Sequence, residues 1–133
     1  MYTREFYRLA RQRLNPGGVM VAHAGPCSPI NYHEGFTAIH STVRSIFPTV
    51  APYRAYVPSF GSEWGFLLAG ENVEPAALIP QEIDARLAAR VTRPLRFYDG
   101  ITHRSMFALP KYLREALAKE ERLITRENPL YAI

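Results

Sequence analysis

Cysteine is nearly absent: Cys27 is the single thiol among 133 residues. That excludes an intramolecular disulfide and fits a reducing compartment. Long apolar runs are absent too. Nothing approaches the roughly 18 residues that a membrane-spanning helix needs, so no membrane partner is expected. Charge is sparse, with 21% charged residues and a net charge of +4. The arginines are scattered rather than gathered into a stripe, so no nucleic-acid partner is expected either. Met1 is followed directly by Tyr2, Thr3, Arg4 and Glu5, which is not the opening of a signal peptide, and a cytoplasmic location is expected. There is no internal repeat, no low-complexity segment and no Gly-x-Gly-x-x-Gly pattern; Gly17-Gly18 reads only as a turn. What is present is ordinary globular material, 47% hydrophobic. The length suits one domain or part of one, burying about two thirds of the surface of the unfolded chain.

Residues 3–14 have helical periodicity, with Tyr2, Phe6, Leu9, Ala10 and Leu14 on one face and Thr3 as N-cap. Asn15-Pro16-Gly17-Gly18 stops that helix. The apolar run 19–24 reads as a buried parallel strand, with His23 near its carboxyl end, where ligands sit in open α/β sheets. Asn31 and Glu34 have the form of a capping box before a stripe of Phe36, Ile39, Val43, Ile46 and Phe47. His33 and His40 then share a helix face, at a separation unlike the usual spacing of about four residues between paired metal ligands; a solvated surface and no metal are expected. Pro52 places strand 50–57 at a sheet edge, because proline cannot donate to a ladder. The apolar run 64–69 belongs inside the sheet, hairpinned to 50–57. After a loop at 71–78, helices are expected over 80–90, with Ile83 and Leu87 inward, and from Pro110, with Tyr112, Leu113, Ala116 and Leu117 inward. Residues 95–109 give no clear period, and the tail 124–133 reads as extended. The strand–helix–strand unit closed by a hairpin implies an α/β fold. Its expected form is the carboxyl-terminal half of a Rossmann-like, doubly wound sheet of the S-adenosylmethionine-methyltransferase type, ending in an antiparallel hairpin.

The stretch 56–69 organises the chain. Its turn brings Phe60, Glu63 and the only tryptophan, Trp64, close together. Aromatic faces beside a carboxylate can hold an alkyl ammonium ion. The same residues also make a plain hairpin plug with a solvated glutamate. His23 at a strand end is equally a satisfied histidine, and Asp99 and His103 read as a local network that fixes a loop.

Three stretches, in order, resemble the polyamine aminopropyltransferases, the spermidine synthase family. They are Tyr2-Thr3-Arg4-Glu5-Phe6-Tyr7 through Leu14-Asn15-Pro16-Gly17-Gly18-Val19; Val57-Pro58-Ser59-Phe60-Gly61-Ser62-Glu63-Trp64-Gly65-Phe66; and Leu95-Arg96-Phe97-Tyr98-Asp99 through His103-Arg104-Ser105-Met106-Phe107-Ala108-Leu109-Pro110. Glu127-Asn128-Pro129-Leu130-Tyr131 resembles the end of some bacterial members. The resemblance implies that residues 1–133 are a single partial domain, the carboxyl-terminal half of the catalytic domain. The amino-terminal β-domain, the glycine-rich nucleoside loop and the catalytic aspartate lie outside it, so no catalytic base is assigned here.

The implied activity is aminopropyl transfer in spermidine biosynthesis, with the isolated chain inactive. Decarboxylated S-adenosylmethionine is the implied cosubstrate, held mostly by the other half, with no prosthetic group. A polyamine substrate, the missing half or a homologous subunit, and a homo-oligomeric complete enzyme are the implied partners. The substrate-binding residues implied are His23, where members typically carry glutamine, Phe60, where many carry tyrosine, Trp64 as a pocket wall, and Glu63 for a distal ammonium. Two other readings stay open: a non-catalytic subunit or oligomerisation module of the same fold, and the tail of a methyltransferase.

Overall fold

The computed structural model describes residues 2–131. Three strands form one sheet in the order β1-β3-β2, with β1 over Val19–Pro26, β2 over Thr49–Val57 and β3 over Ser62–Gly70. Both neighbours run antiparallel to β3. This corrects the expected doubly wound parallel sheet: β1 is an antiparallel edge strand, and Val19 and Val21 are 54% and 56% exposed rather than buried. A continuous apolar run does not report strand direction. It reads the same for a strand buried on both faces and for an edge strand whose second face lies bare. The hairpin expectation holds. Thr49–Val57 pairs with Ser62–Gly70 throughout, Pro52 lies on an edge strand, and the run at 64–69 is central.

Alternation sorts the sheet's side chains onto two faces. Leu67 and Ala69 on β3, Met20 and Ala22 on β1 and Val50 on β2 share one face by cross-strand register. That face packs on α2 (Phe36–Arg44), whose Phe36, Ile39 and Val43 are buried, and on Leu113 and Leu117 of α5 (Lys111–Lys119). The other face carries Val21, His23, Trp64, Phe66, Leu68 and Tyr53. Only its β2 side is covered, where Phe107 of α4 (Gly100–Phe107) lies 5.0 Å from the Tyr53 ring. Contact between α2 and the sheet is close at Gly65. A Cβ built there would lie 2.2 Å from the Phe36 ring.

Local signals account for most helix boundaries. Thr3 caps α1 (Arg4–Arg13), its hydroxyl accepting from the Phe6 N–H at 3.4 Å. The buried residue of α1 is Tyr7, however, while Phe6 and Leu9 of the expected inner stripe are 42% and 53% exposed. An amphipathic stripe does not reveal whether a chain has the mass to cover it. Pro80 opens α3 (Pro80–Arg90), where the Glu82 carboxylate accepts from the Ile79 N–H at 3.0 Å and Ile83 is buried. The unassigned stretch contains α4, capped by the Asp99 carboxylate accepting from the Thr102 N–H at 2.8 Å. Asp99-Gly100-Ile101-Thr102 was a legible cap. Asn31 and Glu34 do not form a capping box. Gly35 is the N-cap of α2, and Asn31 instead accepts from the Ser28 hydroxyl at 2.8 Å in a preceding turn. His33 and His40 consequently do not share a helix face: His33 precedes α2 and is exposed, and His40 is only 5% exposed. Burial, aided by Arg44, pushes the His40 imidazole down to about 4.

The tail forms neither helix nor strand over its described part, but it is not extended throughout: it bends at 126–128, where the Thr125 N–H donates to the Asn128 carbonyl at 3.1 Å, and residues 132 and 133 lie outside the described range. It ties the helices together. The Ile124 N–H donates to the Thr42 hydroxyl at 2.9 Å, and its carbonyl accepts from the Arg4 N–H at 2.7 Å. Glu120 accepts from Thr37 at 2.7 Å and from Arg122 at 2.6 Å.

Two outcomes are expected. Gly65→Ala forces Phe36 and β3 apart and should cost about 1–3 kcal/mol in urea unfolding. The second concerns Glu120, whose carboxyl is held down to about 2, first by its hydrogen bonds from Arg122, against an ordinary value of 4.5. The folded pKa is depressed, so this stabilisation is complete above pH 4.5 and is lost as pH falls towards 2. Glu120→Gln should remove that pH dependence and lower neutral-pH stability by about 1–3 kcal/mol, read from unfolding curves at stepped pH.

Candidate functional site

The centre of the site follows from strand alternation and one irregularity. Trp64 and Phe66 sit two apart on β3 and share the uncovered face, and His23 pairs directly across from Phe66. Past His23 the register shifts, so that Pro26 rather than a regular neighbour pairs with Trp64. Gly25 occupies this bulge at φ 89°, a backbone conformation that side chains disfavour. The β2–β3 connection is a short helical turn, Pro58–Phe60, closed by Gly61 at φ 66°. It folds Phe60 back onto Trp64.

The result is an aromatic stack. The His23 and Trp64 rings lie 4.5 Å apart and nearly parallel, at 18°. Phe60 approaches Trp64 at 4.4 Å and His23 at 6.1 Å, and Phe66 closes on His23 edge-on at 5.5 Å. Tyr53 extends the stack, 5.2 Å from Phe66. Phe60 is 54% exposed, so the cluster opens to solvent rather than ending in a core. Two of its polar atoms, His23 Nε2 and Trp64 Nε1, are buried without a hydrogen-bond partner. Buried polar atoms are ordinarily paired; Tyr7 Oη and His40 Nδ1 elsewhere share this state. Burial pushes the His23 imidazole below its ordinary 6.5, leaving it uncharged at neutral pH. A neutral imidazole tolerates a neighbouring ammonium ion, and the ring faces attract one.

Glu63 stands apart from the stack. Its carboxylate is ion-paired with Arg54 across the hairpin, beside a cavity of about 140 Å³ that Phe97, Thr102 and Met106 also line. The Glu63 carbonyl accepts from the Cys27 N–H at 3.0 Å, and the Cys27 carbonyl accepts from the Tyr112 hydroxyl at 2.8 Å. These bonds pin the loop after β1 to α5. Cys27 is fully buried and its thiol is pushed up to about 12, so it is not a nucleophile at neutral pH. His103 lies in a local network, bonded to the Tyr98 hydroxyl at 2.6 Å and the Pro75 carbonyl at 2.8 Å. Phe66, Tyr53 and Arg54 were not singled out in the sequence. Phe66 was legible as the alternate residue to Trp64, whereas Tyr53 and Arg54 depend on hairpin register. Among the described residues no three His, Cys, Asp or Glu side chains gather as a metal site, and no helix is long and apolar enough to cross a membrane.

Residues 1–77 match the family model described as the spermine/spermidine synthase domain. A polyamine aminopropyltransferase of Sulfolobus acidocaldarius is 43% identical over 130 residues, which is 98% of this chain and 42% of the relative. Polyamine aminopropyltransferase 2 of Hyperthermus butylicus is 41% identical over 131 residues, again 42% of its own length. The chain thus spans well under half of the curated relatives it matches. The crystal structure of spermidine synthase from Thermotoga maritima superposes with a TM-score of 0.71 over 89% of this chain and 40% of that one, at 21% identity, which makes the α/β fold similar.

The histidine pKa values fix a sign for acid sensitivity. His23 binds its proton less readily folded than unfolded, so its contribution to stability is lost as pH falls below 6.5. Proton NMR of the His23 ring should give a midpoint below 6.5, while a freely solvated imidazole should titrate near that value.

Proposed function

The chain belongs to the spermine/spermidine synthase family, and on that premise we propose that it forms the amine-acceptor wall of a polyamine aminopropyltransferase. In this reading residues 1–133 are one partial domain, equivalent to the carboxyl-terminal half of the catalytic domain. The catalytic base and most of the site for decarboxylated S-adenosylmethionine come from the other half. The observation that carries the reading is the solvent-open stack of Phe60, Trp64 and His23, in which His23 Nε2 is without a partner. Putrescine or a similar amine is a cation on an alkyl chain, and such a stack suits both parts.

The acceptor nitrogen gives up a proton to a base outside this chain. Its lone pair then attacks the methylene next to the sulfonium. The new N–C bond forms as the C–S bond breaks, and the bonding electrons return to sulfur, leaving neutral methylthioadenosine. Sulfonium is already a good leaving group, so the task left to these residues is positioning, an entropy saving that can reach roughly 7–11 kcal/mol. Trp64 and Phe60 cover the methylene chain and attract the ammonium through their ring faces. His23 Nε2 can accept a hydrogen bond when the other ring nitrogen carries the proton. Glu63 is the weaker candidate for the distal ammonium, because its carboxylate stands apart from the stack and is already paired with Arg54.

The partner reading rests on the sheet itself. The outer edge of β1 is unpaired in the order β1-β3-β2, and Val19 and Val21 lie exposed beside it. An open apolar edge recruits another chain segment. We place the remaining part of the enzyme there, or a homologous subunit in its stead.

The test is reconstitution. The chain is mixed with an amino-terminal segment of a full-length relative, decarboxylated S-adenosylmethionine and a series of amines. Methylthioadenosine should form only when both parts are present. Failure of every pairing, with the parts shown to associate, overturns the catalytic reading and leaves the non-catalytic subunit. In an active pair, Trp64→Ala should raise KM for the amine about 5- to 30-fold, the equivalent of about 1–2 kcal/mol of cation–π attraction, with a smaller effect on the nucleoside. Val21→Lys should block association while leaving the chain folded, as seen by gel filtration and circular dichroism.

A further inference from the structure

At the opposite edge of the sheet from β1, α2, β2, α4 and α5 border an open groove of about 390 Å³. We propose that this groove binds a small organic carboxylate with an apolar body, at a site separate from the amine wall. The floor is apolar, made by Pro52, Phe107 and Leu117 among others. Arg44 from α2 and Arg114 from α5 also line it, and no carboxylate does. Among the described residues neither arginine has an ion-pair partner, as is true of most arginines of the chain. Arg114 is held in place by donating from Nη1 to the Leu109 carbonyl at 2.9 Å, and the remaining N–H groups of the guanidinium stay available. His40 lines the same groove. It is 95% buried, and its Nδ1 is buried without a hydrogen-bond partner.

These features specify the ligand by chemistry. Two guanidinium groups without counter-charge suit a planar carboxylate, which accepts two parallel N–H bonds from one fork. The apolar floor selects a body of a few carbon atoms or one ring. The volume lies within the range of small-molecule sites, about 300–1,000 Å³. An amine has no place here, since both charged groups repel it. The groove thus takes the opposite charge from the Phe60–Trp64 stack.

Phenylacetate is the probe, titrated into the full chain while the Arg44 and Arg114 Nε–H resonances are followed by NMR. Acetate supplies the head group without the body, and phenethylamine supplies the body with the opposite charge. Phenylacetate should shift both arginine signals and bind at least about 10-fold more tightly than acetate, with phenethylamine leaving them unmoved. Arg44→Gln and Arg114→Gln, both at exposed positions, should each weaken phenylacetate about 5- to 10-fold without loss of fold. Equal binding of phenylacetate and acetate, a matching response to phenethylamine, or unchanged affinity in the double variant would each overturn the proposal.

Discussion

The seating of Phe36 on Gly65 is the contact from which the arrangement follows. With no side chain at 65, the first turn of α2 drops onto the central strand, and a Cβ there would come within 2.2 Å of the ring. Leu67 and Ala69, two and four residues on, are thereby committed to the same buried face and are wholly inaccessible. Trp64 and Phe66 are committed just as firmly to the other face. A one-residue change of register would exchange the two sets. The core and the aromatic stack are therefore two consequences of one packing decision.

The tail makes that decision permanent. Thr42 is fully buried, and its hydroxyl donates to Ala38 at 2.7 Å while accepting from Ile124. Ile124 in turn anchors the start of α1. Glu120, Arg122 and Thr37 add a charge-assisted cluster between α5 and α2. These bonds join the first helix, the central helix and the last segment without any help from the sheet. They explain how a three-stranded sheet with one face only partly covered keeps its other face in order.

Electrostatics divide the molecule unevenly. The chain carries +4 overall, which opposes long-range attraction of a polyamine. Locally, the Glu63 carboxylate stands apart from the aromatic stack and is already engaged by Arg54. What remains for a cation is the short-range attraction of ring faces, in a place where His23 is kept neutral by burial. The unpaired guanidinium groups lie across the sheet, at the β2 edge.

The amino-acid pattern alone specifies the hairpin, the edge position of Pro52, helices expected over 3–14, 80–90 and from Pro110 and found over 4–13, 80–90 and 111–119, and the closeness of Phe60 to Trp64. Each depends on signals within a few residues: a cap, a proline, a glycine turn, an alternation. Family membership was legible in the same way, from three ordered stretches. The remainder came from packing between distant segments. It made β1 antiparallel, because strand direction is set by the partner and not by the run of apolar residues. It buried His40 and left Phe6 and Leu9 exposed, because a periodic pattern names a face without saying what covers it. It joined His23 to Trp64, and Glu63 to Arg54, through cross-strand register and one bulge. Contacts between strands depend on how the whole chain closes, so no local pattern contains them.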